Sequence, residues 1–128
     1  MNRASRLFGV LCEKNRMKIK FEAQKVSYSE ALDRDIIQIS FEQKDSDDLI
    51  DNPYKYLMIS VNYEFPPCTP TVEWCDGEDF NGGSEIENYQ MNENSLQLNL
   101  KDNVSFDISF NTDLKTIEDI KNFLAKIT

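Results

Sequence analysis

The chain has 128 residues, 40% hydrophobic and 29% charged, enough for one domain with a single core. Its 14 Lys and Arg stand against 23 Asp and Glu, a formal charge of −9, which repels nucleic acid and anionic membrane and attracts a basic partner. It has no histidine, which removes Ser-His-Asp and Cys-His nucleophile systems and the commonest zinc ligand.

Residues 1–16 carry Arg3, Arg6, Lys14 and Arg16 against Glu13 alone, with a short apolar patch from Leu7 to Leu11. That patch is too short for a secretory signal, and charged residues follow where a cleavage site needs small ones. The segment reads as a flexible or misannotated leader, with residues 17–128 as the single domain. Without it the balance is 10 − 22 = −12. The three cysteines, Cys12, Cys68 and Cys75, are odd in number and widely spaced, which favours free thiols and a cytoplasmic protein over a disulfide framework. No apolar run approaches the ~20 residues of a membrane span.

From Lys18, Ile19, Phe21, Ala23 and Val26 alternate with polar residues, the period of a half-buried strand. Asp33-Arg34-Asp35 reads as a turn, and Ile36 to Phe41 as a second strand with Ile37, Ile39 and Phe41 on one face. Glu42 to Pro53 is an acidic loop containing Asp45, Asp47, Asp48 and Asp51, with room for one helical turn. Tyr56 to Tyr63 is the most strand-like segment and is placed centrally, buried on both faces at one end. Pro66, Pro67 and Pro70 end its pairing, because proline has no amide hydrogen for a ladder.

Thr71 to Cys75 reads as a short strand entering a loop, Asp76 to Gly83, whose Gly82-Gly83 is expected to need positive φ. Ile86–Met91, Ser95–Leu100 and Val104–Phe110, joined by short polar turns, form an antiparallel meander. The period then changes: Leu114, Ile117, Ile120, Phe123, Leu124 and Ile127 make the stripe of an amphipathic helix, with Thr116 as its cap, Glu118 and Asp119 in its first turn and Lys126 in its last. The fold class is α+β, a curved antiparallel sheet of about six or seven strands with a C-terminal helix on one face.

The acidic loops lack the ligand spacing of a calcium-binding hand, and Gly82-Gly83 lacks that of a phosphate-binding loop. No catalytic constellation, cofactor or metal site emerges, and the expectation is a non-enzyme. The concentration of aromatic and acidic residues from Trp74 to Phe80 admits two readings. Trp74 is either a core residue or the anchor of a recognition surface, rimmed by Asp76, Glu78, Asp79 and Phe80. The second is adopted, with Asp45, Asp47 and Asp48 as a further acidic contact.

The run Lys55-Tyr56-Leu57-Met58-Ile59-Ser60-Val61-Asn62-Tyr63-Glu64-Phe65, the Trp74 strand, Gly82-Gly83-Ser84-Glu85-Ile86 and the leucine strand 96–100 together resemble the immunity protein 10 family of bacterial polymorphic toxin systems. The resemblance covers roughly residues 21–100. It implies a cytoplasmic protein that binds and blocks a cognate toxin, without catalysis of its own. An acidic inhibitor suits a basic nuclease toxin. The alternatives are an interaction module of another assembly and a small calcium-dependent binder.

Overall fold

Alternating apolar and polar residues become strands because each strand can bury one face. In the computed structural model, which describes residues 17–44 and 53–127, nine strands precede one helix. They are β1 (Met17–Ala23), β2 (Lys25–Ala31), β3 (Ile36–Glu42), β4 (Lys55–Asn62), β5 (Thr71–Asp76), β6 (Phe80–Ser84), β7 (Ile86–Met91), β8 (Ser95–Leu100) and β9 (Val104–Phe110), followed by α1 (Leu114–Ile127). One sheet has the order β1-β9-β8-β7 and the other β2-β3-β4-β5-β6. The α+β class and the single C-terminal helix stand as the sequence implies.

The two sheets are not independent. Gln24 alone separates β1 from β2, and Glu85 alone separates β6 from β7. Each pair is one bent strand that passes from one sheet into the other, so pairing runs in a closed circuit of seven continuous strands. Backbone bonds brace both corners: the Gln24 amide donates to the Glu42 carbonyl at 2.8 Å, and the Lys101 amide donates to the Glu85 carbonyl at 3.0 Å. The circuit closes through a parallel pairing of β1 with β9, which sets Ile19 beside Phe106 and Phe21 beside Ile108. The other pairs are antiparallel.

The inward side chains meet between the sheets. Phe41 and Phe110 face each other with ring centroids 5.4 Å apart, and Trp74 meets Phe106 edge-on at 6.1 Å. Ile39, Leu57, Ile59, Leu96, Leu98 and Ile108 are fully buried. β4 is central in its sheet, as its composition implies. At its start both Tyr56 and Leu57 are buried, Leu57 in the main core and Tyr56 with Tyr54 and Cys75 in a second cluster.

Helix α1 buries Ile117, Ile120, Phe123 and Leu124 in the same core and lies beside β2. Tyr28 of β2 reports the contact: burial, then its hydrogen bond to Glu30, then charges including Asp119 of the helix push its hydroxyl up to about 12. The cap differs from expectation. Asp113, not Thr116, caps the helix, its carboxylate accepting the Thr116 amide at 3.0 Å and the Thr116 hydroxyl at 2.8 Å. The helix begins at Leu114, so Glu118 and Asp119 fall beyond its first turn, while Lys126 does occupy the last. The sequence offers Asp113 and Thr116 in the spacing of a cap and its third helical residue, and the carboxylate takes the cap position because it accepts without donating.

The Thr116 hydroxyl and then its amide hold the Asp113 carboxyl below the usual carboxylate range. A depressed folded-state value means the stabilisation is full above about pH 4 and fades as pH falls through the lower value. Asp113→Ala should therefore melt below the parent at neutral pH, with the gap narrowing in acid. Thermal melts across pH would check this, and a gap that widens in acid would contradict it.

Candidate protein-binding surface

The β5–β6 hairpin carries the residues singled out in the sequence. Asp76-Gly77-Glu78-Asp79 closes the turn, with the Asp76 amide donating to the Asp79 carbonyl at 3.1 Å. The Asp76 carboxylate accepts the amides of Glu78 at 2.9 Å and Asp79 at 2.7 Å. These amides, Asp79 first, lower its pKa from the ordinary value. Gly77 has φ +100°, a conformation that strains any side chain. Asp76 is thus committed to its own turn, while Glu78 and Asp79 are exposed. Phe80 is 54% exposed and leans on Tyr56, ring centroids 6.2 Å apart.

Trp74 is not on this surface. It pairs with the inward-facing Leu57 and is 4% exposed in the core, so its side chain is closed to a partner. Strand parity is the reason: its neighbours Glu73 and Cys75 point outward, and residue 74 must then point inward. Asp45, Asp47 and Asp48 lie outside the described residues. The structure therefore gathers Asp76, Glu78, Asp79 and Phe80 at one turn and sends Trp74 to the opposite side of the sheet.

Gly83 does take positive φ, +80°, but within a strand and not a free turn. It sits in a bulge where β6 carries an extra residue against β5 between Val72 and Trp74. Bulging also blunts β6 as a sheet edge.

What the sequence reading missed is the outer face of the five-stranded sheet. Register places Ser27, Ser40, Met58 and Glu73 in one cross-strand row, Ser29, Gln38, Ser60 and Thr71 in the next, and Ala31, Ile36 and Asn62 in the last. Glu73 is the single charge among them, in a chain that is 29% charged. Toward the β5–β6 turn lie Lys25, Glu42, Tyr56, Cys75 and Phe80. There Tyr54 and Tyr56 are buried, and the Tyr54 hydroxyl donates to Glu42 at 3.2 Å. Burial pushes the Cys75 thiol up, as suits an inert side chain. Cys68 and Cys75 are both free.

The far end of the face is bounded by residues 63–70. The Tyr63 amide donates to the Asp35 carbonyl at 2.6 Å, which ties this loop beside the β2–β3 turn, and within the loop the Cys68 amide donates to the Phe65 carbonyl at 3.1 Å. Between loop and sheet is a cleft of about 450 Å³ lined by Ile36, Ser60, Asn62, Phe65, Pro67 and Thr71, among others. A face poor in charge at its centre, with Met58 there and exposed Phe80 and Phe65 at its two ends, has the composition of a protein interface. The outer face of the four-stranded sheet differs: it presents Lys18, Lys20, Asp107, Gln97, Asn99 and Ser105, with neither Met nor an aromatic among them.

Among the described residues, no three His, Cys, Asp or Glu side chains converge as metal ligands, and no helix is long and apolar enough to cross a membrane. Compared with family models and with curated proteins, the chain matches none.

Proposed function

We propose that this chain is an immunity protein that binds a basic bacterial toxin and blocks its active or substrate-binding surface, without catalysis of its own. The observation that carries the reading is the open outer face of the five-stranded sheet, poor in charge at its centre and set in a molecule of charge −9. Its resemblance to the immunity protein 10 family supports the same reading. Contacts at the centre would hold the complex, and the surrounding negative field would speed capture.

The test is co-expression with the product of the adjacent gene, which this reading expects to be the toxin. Co-purification of the two, with rescue of growth, is the expected result. Failure of the folded chain to capture that toxin or restore growth would overturn the reading. Reversing Glu78 and Asp79 to lysine should slow association several-fold at low salt, and the effect should shrink once screening over about 10 Å at 0.1 M sets in. Asp76 is left intact, because its carboxylate closes the turn. Stopped-flow association rates across salt would check this, and a salt-independent effect would contradict a steering role.

A further inference from the structure

Four of the five non-glycine residues with positive φ among those described, Leu32, Asp33, Arg34 and Cys68, lie at one end of the outer face. They form the β2–β3 turn and the loop that walls the cleft. Such conformations cost free energy and persist only where surrounding structure fixes them. The same turn and loop carry two large exposed apolar side chains, Leu32 at 60% on the turn and Phe65 at 70% on the loop, where Phe65 lines the cleft with Ile36. Asp33, Asp35 and Glu64 are exposed around the same end, and among the described residues no cation lies within ion-pair distance of them. Arg34, the local cation, is 3.4 Å from Glu30.

We propose that this cleft is the anchor point of the interface, receiving one apolar side chain of the partner from a segment flanked by lysine or arginine. This deepens the toxin-binding reading and rests on it for the partner's identity, but the chemistry is testable alone. A volume of about 450 Å³ is within the usual range of ligand clefts and exceeds one aromatic side chain. The walls offer apolar contact, and the unpaired carboxylates select a basic segment over an acidic one. Because the turn and loop are tied by backbone bonds, the cleft is formed before the partner arrives, which lowers the ordering cost of binding.

The experiment is an amide-shift titration of the intact chain with three blocked peptides, KKLFKK, KKSSKK and EELFEE. Saturable shifts at Ile36, Ser60 and Thr71 are expected with KKLFKK, with binding at least tenfold weaker for each of the others. Thr71→Arg, chosen because Thr71 lines the cleft on a partly open strand, should remove those shifts and leave the rest of the spectrum folded. Ser60→Arg serves the same purpose should the first variant unfold. The proposal is overturned by shifts that map elsewhere, by equal binding of KKSSKK, by no saturable shift at millimolar peptide, or by concentration-dependent shifts showing a second copy in the cleft. No toxin is present in this titration. A cleft that binds KKLFKK beside a failed toxin capture would sink the immunity reading alone, and the converse would sink the anchor alone.

Discussion

Replacing Phe123 and Leu124 together with alanine should abolish cooperative folding. Both side chains are buried, Phe123 at 4% and Leu124 at 0% exposure, in the core shared by both sheets. Truncating a buried Phe costs about 3–5 kcal/mol and a buried Leu about 2–5 kcal/mol, because the cavity adds to the lost transfer term. Total stability of a domain is about 5–15 kcal/mol, so the sum consumes most or all of it. The helix also lies beside β2, so its loss would expose core on that side of the circuit. Circular dichroism and chemical denaturation would show a broad or absent transition. A double variant that melts like the parent would mean the helix is peripheral.

Trp74 gives the second large effect, and a contrast between two substitutions. Trp74→Ala should cost about 3–5 kcal/mol, since it empties a large core position against Phe106. Trp74→Phe should cost far less. The indole Nε1 is buried and has no hydrogen-bond partner, and an unsatisfied buried donor costs about 1–3 kcal/mol. Phenylalanine removes that donor, which offsets part of the packing it gives up. Denaturant melts of the two variants would check the order, and equal losses would show that the N–H contributes a bond. As the chain's one tryptophan, Trp74 should also emit at short wavelength when folded and shift to the red on unfolding.

The elements that could be read from sequence are those whose periodicity is local. The alternation of Leu96, Leu98 and Leu100 and the three- and four-residue spacing from Ile117 to Leu124 each identify one element from its own residues. The parallel union of β1 with β9 was hidden, because it joins Ile19 to Phe106 across most of the chain and leaves no short-range mark. The corners at Gln24 and Glu85 were hidden too. Each bend occupies a single residue without glycine or proline, so one strand appears to continue where the sheet changes. β6 reads as loop because its two glycines signal a turn, and the bulge that uses Gly83 is visible only through pairing with β5.

At the site, acidity drew the reading to the β5–β6 turn and an exposed Trp74, yet parity within β5 turns that residue inward. Counting faces from Val72, an aliphatic residue two positions earlier, would have found this, since residues two apart share a side. The outer face was illegible for a different reason. Its serines, Gln38 and Met58 are unremarkable individually, and become a charge-poor patch only when β2 to β5 are set side by side.

The most direct test places equal charge on the two outer faces and measures capture of the toxin. One variant carries Gln38→Arg and Met58→Arg on the five-stranded sheet, and the other carries Gln97→Arg and Asn99→Arg on the four-stranded sheet. Both add two positive charges, so they weaken long-range attraction to a basic partner alike, and the difference between them isolates contact. Binding through the five-stranded face predicts at least a thirtyfold rise in Kd for the first variant, about 2 kcal/mol, and a change of only a few-fold for the second. A folded Gln38→Arg, Met58→Arg protein that captures the toxin as tightly as the parent, while the Gln97→Arg, Asn99→Arg protein loses it, would contradict the account.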